Sequence, residues 1–328
     1  MKLVHISDLH IGKRLNNYSL TEDQKFILDR ILEIVSEEKA DGVIIAGDIY
    51  DRSIPPEEAV TLFDDFLVEL SSQCRSVFII SGNHDSSERL AFGSRLINKC
   101  GIYISPVFNG KISPVTLTDE YGDVDFYLLP FIKPAHVRPW YPDAEIKDYT
   151  DALRTVIENL PLKENSRNVM VAHQFVTGAS QGGSEESFVG GLENVDSSVF
   201  APFDYTALGH IHKTQTINGN IRYCGSPLKY SFSEIKHKKS VTVVELKEKG
   251  SLDIREIPLT PMREMAELKG TFKEVIDMSA SIPPETYLRI TLTDPDDIPD
   301  AMAKLRVIYP NLMKLDYASR KSSPLSPA

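Results

Sequence analysis

Residues 1–14 read Met1-Lys2-Leu3-Val4-His5-Ile6-Ser7-Asp8-Leu9-His10-Ile11-Gly12-Lys13-Arg14. A short apolar run over 2–7 breaks off into an Asp-x-His triplet. Such a run suits a buried strand and falls far short of a membrane helix. The alternation repeats down the chain. A helix is expected over 22–38, where Phe26, Ile27, Ile31, Ile34 and Val35 recur at helical spacing and Thr21 stands ready to cap it. A strand at 42–46 follows, then a helix at 56–71 opened by Pro55-Pro56. A strand at 76–80, a helix at 87–99 and a strand at 102–105 complete the first third. This βαβαβ rhythm predicts a parallel sheet covered by helices.

The middle of the chain is richer in strand. Apolar runs at 111–117, 125–129, 168–172, 205–208, 215–217, 221–224, 240–246 and 252–257 read as strands, and 149–159 as a helix. The Gly- and Ser-rich stretch 177–191 reads as a long loop. One layered, mixed-sheet α/β domain is therefore expected over 1–257. Pro258-Leu259-Thr260-Pro261 reads as a boundary. Beyond it, a helix near 271–277, a strand at 287–292, a helix at 298–308 and a strand at 312–317 predict a small α+β domain over 258–318. The Ser/Pro-rich residues 319–328 read as a disordered tail.

Composition excludes several classes. With 36 Lys+Arg against 47 Asp+Glu, a net charge of -11 argues against coating nucleic acid by bulk charge. It does not exclude an enzyme acting on nucleic acid, because a bound metal brings its own positive charge. The 3 cysteines, Cys74, Cys100 and Cys224, are too few and scattered for a disulfide framework or a zinc site. The polar start and the lack of a spanning apolar run predict a cytoplasmic protein with no membrane partner.

The chemistry lies in polar clusters, each behind an expected strand: Asp8-Leu9-His10, Gly47-Asp48-Ile49-Tyr50-Asp51, Gly82-Asn83-His84-Asp85, His173, and Gly209-His210-Ile211-His212. In α/β sheets ligands bind at the carboxyl ends of strands. Asp8, His10, Asp48, Asn83, His173, His210 and His212 would thus converge on one edge, offering oxygen and nitrogen donors and no thiolate. That set exceeds what one tetrahedral ion needs and suits two divalent ions about 3.5–4 Å apart. Mn²⁺, Fe²⁺ and Zn²⁺ all fit such ligands. Gly47, Gly82 and Gly209 would let the backbone turn close to the metals.

Taken in order, Ser-Asp-Leu-His, Gly-Asp-Ile-Tyr-Asp, Gly-Asn-His-Asp, Val-Ala-His and Gly-His-Ile-His resemble the calcineurin-like metallophosphoesterases. Three features resemble one branch of them, the SbcD-type DNA-repair nucleases: the start of the chain, Cys224-Gly225-Ser226-Pro227-Leu228-Lys229-Tyr230-Ser231-Phe232-Ser233-Glu234, and the second domain, which is similar to that branch's capping domain. The resemblance implies a Mn²⁺-dependent 3′→5′ exonuclease and single-strand endonuclease, with DNA as substrate and an SbcC-like coiled-coil ATPase as partner. It implies that Asp8, His10 and His212 hold one ion, that Asn83, His173 and His210 hold the other, and that Asp48 bridges them. His84 is implied as a catalytic histidine outside the ligand set, with Asp51 positioning it. A phosphoesterase acting on small molecules or phosphoproteins shares every metal motif and is the alternative.

Other residues carry weaker signals. Lys13, Arg14 and Arg89 follow metal motifs and are candidate phosphate contacts, as are Lys229, Lys236 and Lys238. The lysine run could equally be a solvated turn. His5, inside a strand, reads as a core histidine. The helices expected at 56–71 and 87–99 carry apolar residues beyond one face, Phe66 among them, which suggests a homodimer surface.

Overall fold

The computed structural model describes residues 1–180 and 194–318; the end of the expected loop at 177–191 and the tail 319–328 lie outside the described residues. The chain begins with β1 (Lys2–Ile6), a small hairpin β2 (Arg14–Leu15)–β3 (Tyr18–Ser19), α1 (Thr21–Glu38), β4 (Gly42–Ala46), α2 (Glu57–Gln73) and β5 (Ser76–Ile80). Two single-turn helices, α3 (Ser87–Leu90) and α4 (Ser94–Ile97), lead to β6 (Ile102–Ile104). Then come β7 (Val115–Asp119), β8 (Gly122–Leu128), α5 (Pro134–Val137), α6 (Tyr149–Glu158), β9 (Arg167–His173), β10 (Tyr205–Gly209), β11 (Gln215–Ile217), β12 (Ile221–Tyr223), β13 (Ser240–Leu246) and β14 (Leu252–Pro258).

These strands form two six-stranded sheets, ordered β14-β13-β1-β4-β5-β6 and β11-β12-β10-β9-β8-β7. The centre of each is parallel: β1–β4–β5–β6 in the first, β8–β9–β10–β12 in the second. The sheets stack face to face. Leu3, Ile44, Phe78 and Ile80 of the first meet Phe126, Val171, Tyr205 and Ala207 of the second in one apolar layer. The outer face of the first sheet buries Val4, Val43 and Ile45 against Ile27, Ile31, Phe63 and Phe66 of α1 and α2. The outer face of the second buries Met170, Ala172 and Leu208 against Leu153, Val156 and Ile157 of α6. Strands covered on both faces need continuous apolar runs, and that is why their sequences do not alternate.

A third sheet, β15 (Met265–Gly270), β16 (Tyr287–Leu292) and β17 (Leu312–Tyr317), is parallel throughout, with α7 (Phe272–Asp277) and α8 (Ala301–Ile308) in its crossovers. It has its own core of Val275, Leu288, Ile290, Leu292 and Leu305. One end docks on α1. Asp23, buried in α1, accepts from Arg263 at 2.8 Å and from the Tyr287 hydroxyl at 2.7 Å. Met265, Tyr287 and Met313 join the α1–α2 core.

Several elements depart from the sequence reading. Thr21 does not cap α1: Leu20 occupies the cap without a side-chain bond, and the Thr21 hydroxyl pairs with Ser19. The single helix expected over 87–99 is broken, because Gly93 adopts φ +75 between α3 and α4. The helix expected from 298 starts at Ala301, behind Asp300 in the left-handed region. Phe66 points into the core at 3 % exposure, while Val60 and Val68 of the same helix face outward.

Candidate metal centre

All five motif clusters leave strands at one edge of the sandwich. Ser7, Asp8 and His10 follow β1, Gly47 and Asp48 follow β4, and Gly82, Asn83 and His84 follow β5. His173 ends β9, and His210 and His212 follow β10. The first sheet thus supplies both carboxylates, the amide and two imidazoles, and the second supplies three imidazoles. The turns are tight enough to force unusual backbone. Asp8, His10, Asp48 and His210 all have positive φ, at 54, 44, 51 and 98 degrees. Left-handed backbone is costly for such residues, and it persists where surrounding bonds hold it, characteristically at functional sites. Those bonds run between loops: Asp8 N–H donates to Gly47 O at 3.0 Å, and His10 N–H to Asp48 O at 3.0 Å.

Glycine is required at this edge by close approach. A Cβ on Gly82 would sit 2.1 Å from the Asp48 carboxylate, and one on Gly209 would sit 1.9 Å from the Ala46 carbonyl.

Each carboxylate is tied to another loop. Asp8 accepts from His210 N–H at 3.0 Å and from the Ser7 hydroxyl at 2.5 Å. Asp48 Oδ1 accepts from His84 N–H at 2.9 Å. Its Oδ2 lies 3.3 Å from His173 Nε2, 3.7 Å from His10 Nε2 and 4.0 Å from His84 Nε2. On one side of Asp48, His10 Nε2 and His212 Nε2 face each other at 3.1 Å beside Asp8. On the other side, Asn83 Oδ1 lies 3.1 Å from His173 Nε2 and 2.9 Å from His210 Nδ1.

The donor set fits divalent cations. Burial drives the pKa of His10 well below the ordinary value and that of His210 down to about 3, so both keep a lone pair at neutral pH. Burial pushes the Asp8 carboxyl up. Burial would raise Asp48 as well, but His173 and His10 outweigh it and hold Asp48 well below the carboxylate range. Burial opposes charge on His173, yet Asp48 and Asp8 push its pKa up to about 9. Among the described residues no Lys or Arg comes within ion-pair reach of Asp8 or Asp48, so imidazolium is the only cation those residues offer them. Two buried carboxylates facing inward-pointing ring nitrogens call for cations from outside.

His84 stands apart. At 27 % side-chain exposure it is the most open imidazole of the cluster, and its Nδ1 lies 3.1 Å from the Asp51 carbonyl oxygen. A carbonyl only accepts, so Nδ1 carries a proton and Nε2 faces the site. Asp51 thus reaches His84 through its backbone. Its carboxylate pairs with Lys13 at 2.6 Å.

The other candidate phosphate contacts are dispersed. Arg14 donates to Asn17 O at 2.6 Å in the β2–β3 hairpin, and Lys229 pairs with Glu264 at 2.5 Å. Arg89 lines a cavity beneath α2, and Lys236 and Lys238 are exposed at a cavity of about 460 Å³ between the first sheet and the third. His5 is buried, with Nδ1 2.8 Å from the Tyr205 hydroxyl between the sheets.

Several supporting residues escape the sequence reading. Asp85 accepts N–H bonds from Ile49, Tyr50 and Gly82 and so staples the β4 and β5 loops together; burial, then Asp48, push its pKa up to about 6. Gln24 of α1 donates to the His10 carbonyl at 2.7 Å. Glu234 lies 3.2 Å from His212 Nδ1. Asp85 is the last residue of the Gly82–Asp85 cluster, which gave it no role of its own. Gln24 carries no local signal, and Glu234 ends the Cys224–Glu234 stretch, where nothing marks it as a partner of His212.

Comparison with known proteins adds the following. The calcineurin-like phosphoesterase family profile matches residues 1–214, and the type 5 capsule protein repressor C-terminal domain profile matches residues 261–326. The chain is 35 % identical to the SbcD component of nuclease SbcCD from Staphylococcus epidermidis, over 96 % of this chain and 85 % of that one. It is 36 % identical to the SbcD component of nuclease SbcCD from Staphylococcus saprophyticus, over 96 % of this chain and 84 % of that one. A dimetal phosphatase of known structure from Danio rerio aligns distantly, with TM-score 0.48 and 13 % identity over 79 % of this chain and 98 % of that one.

Proposed function

The chain belongs to the calcineurin-like phosphoesterases and, within them, to the family of the SbcD component of nuclease SbcCD, and from that premise we propose a DNA phosphodiesterase that works with two Mn²⁺ ions. Asp8, His10 and His212 would hold one ion, Asn83, His173 and His210 would hold the other, and Asp48 would serve both. The environment of Asp48 carries this reading: one oxygen is tied to the backbone, and the other stands among imidazole nitrogens with no Lys or Arg beside it among the described residues. When bound, such ions polarise a phosphoryl oxygen and make a water acidic enough to attack phosphorus at neutral pH.

The chain's own groups do the rest. Loops pinned to one another keep the ligands in place before any cation arrives. His84 keeps its Nδ1 proton on the Asp51 carbonyl, so Nε2 is the atom that holds a phosphate oxygen or passes a proton to the departing oxygen. Lys13, held by Asp51, and Arg14, Arg89, Lys229, Lys236 and Lys238 are phosphate contacts of graded value. Lys236 and Lys238 are exposed, whereas Lys13 and Lys229 are half-buried. Residues 1–257 carry the chemistry, and 258–318 cap it and help seat DNA. The expected activities are 3′→5′ exonuclease and single-strand endonuclease, with an SbcC-like coiled-coil ATPase as partner, in the cytoplasm. Among the described residues no helix is long and apolar enough to cross a membrane.

A homodimer through the α2–α4 surface completes the reading. Phe92 and Leu96 are 89 % and 77 % exposed, beside the outward-facing Val60. Light scattering is expected to give twice the 36.8 kDa of one chain, and Leu96→Glu to return monomers. A wild-type monomer at micromolar concentration would end the dimer proposal.

The main test uses metal-stripped protein. Calorimetric titration should show two Mn²⁺ per chain, and single-stranded DNA should be cut only with the metal present. Hydrolysis of nitrophenyl phosphate esters without DNA cleavage would shift the reading to a small-molecule phosphoesterase.

A further inference from the structure

Behind His212 lies a fully buried ionic clamp. Glu234, at the end of a 3-10 turn begun by Ser231, places Oε1 3.2 Å from His212 Nδ1 and Oε2 2.5 Å from the Lys239 ammonium. Lys239 also donates to the His212 carbonyl at 3.0 Å and to the Ser226 hydroxyl at 2.7 Å. The Ser226 hydroxyl donates to the Leu228 carbonyl at 2.8 Å, so its oxygen accepts from the lysine. One carboxylate–ammonium pair therefore grips His212 by both ring and backbone.

Donor and acceptor rules give this arrangement a direction. A carboxylate only accepts, so His212 Nδ1 must carry the ring proton. Its Nε2 then presents a lone pair toward His10 Nε2, 3.1 Å away, and toward Asp8. An ammonium only donates, so Lys239 fixes which end of any group at position 234 may face it. We propose that Glu234 is a positioning residue that sets the His212 tautomer for metal binding, and that Lys239 enforces its polarity. The proposal rests on His212 being a metal ligand. Partners beyond the first ligands commonly alter metal affinity about tenfold to hundredfold.

Glu234→Gln separates this role from simple packing, because the side chain keeps its shape. Lys239 claims the amide oxygen, so the amide NH₂ faces His212 Nδ1. Nδ1 must then accept, and the ring proton moves to Nε2, where it blocks ligation. In metal-free protein, nitrogen-15 correlation spectra of the histidines should show His212 protonated at Nδ1 in wild type and at Nε2 in Glu234→Gln. Mn²⁺ affinity at one of the two sites should fall about tenfold or more. Adding Lys239→Met frees the amide to turn its oxygen to Nδ1, so the double variant should regain the wild-type tautomer and come within a few-fold of its affinity. The double variant also replaces both charges of the buried pair, so it carries the test if Glu234→Gln alone fails to fold. An unchanged tautomer or affinity in Glu234→Gln, or a double variant that still loses the metal, overturns the proposal. A parallel His212→Ala arm tests its premise: two undisturbed Mn²⁺ sites there would remove His212 from the ligand set, a failure distinct from that of Glu234.

Discussion

The two sheets are joined at opposite edges by different means. At the starting edge of β1 and β9, the Met1 ammonium lies 2.7 Å from Asp119, and Arg167, 2 % exposed, pairs with the same carboxylate at 2.5 Å. Arg167 also donates to the Lys247 carbonyl of the first sheet's margin at 3.0 Å. The carboxylate here arrives with two cations of its own chain. At the far edge, buried Asp8 and Asp48 meet, among the described residues, only imidazoles, a neutral backbone and a hydroxyl. One edge is an internally balanced staple. The other has its charge balance left open, and an edge left open in a buried place is where a divalent ion has most to contribute.

Removing Asp48 strikes hardest at that contrast. Asp48→Ala takes away the carboxylate proposed to serve both ions, so Mn²⁺ binding and DNA cleavage should both be lost. Added Mn²⁺ should raise the melting temperature of wild type by mass action and leave that of the variant unmoved. Two intact Mn²⁺ sites in the variant, measured by calorimetry, would refute the bridging role. His84→Ala should act within the same edge but on chemistry alone. A general acid is typically worth about a hundredfold to ten-thousandfold in rate, so turnover should drop by that factor while two Mn²⁺ remain bound. A variant that melts early yet cuts DNA normally per folded molecule would reduce His84 to a turn residue.

The open edge is legible in the sequence and the stapled edge is not. Runs such as Val43-Ile44-Ile45-Ala46 are apolar on both faces, so a buried parallel strand can be read from them directly, and a polar cluster at its end is conspicuous. Asp119 and Arg167 look like ordinary surface charges, and only the placement of β7 and β9 on either side of β8 brings them together across 48 residues. The contacts of Glu234 with His212 and of Gln24 with His10 are hidden as well, because only tertiary structure makes them. Asp51 stands out for its side chain, but it touches His84 through a carbonyl, a contact that residue identity does not encode. The break at Gly93 does have a signal, the glycine itself, which a strongly apolar surrounding pattern overrides. The faces of α2 stay ambiguous because its apolar residues exceed one stripe, so Phe66 inside and Val68 outside cannot be told apart from sequence.

Asp119→Asn should leave cleavage per folded molecule and Mn²⁺ stoichiometry unchanged, because the staple lies at the edge away from the ligands. Its effect is on stability. The asparagine can still accept a hydrogen bond but no longer neutralises Arg167, and stranding a buried guanidinium costs about 3 kcal/mol. The carbonyls of Gly122 and Lys247 that also accept from Arg167 set how far that cost is softened. The pH dependence identifies the cause. Burial alone would raise the Asp119 carboxyl, but Arg167, the N-terminal amine and the Tyr121 N–H outweigh it and hold it below the usual carboxylate range. A carboxyl depressed in the folded state contributes fully above its unfolded value of about 4 and loses that contribution as pH falls through the folded value. The stability gap between wild type and Asp119→Asn, measured by denaturant unfolding, should therefore be flat from neutral pH down to about 5 and close progressively below about 4. A gap that does not change on acidification would mean that Asp119 acts through its shape rather than its charge, and the contrast between a self-balanced edge and an open one would lose its electrostatic basis.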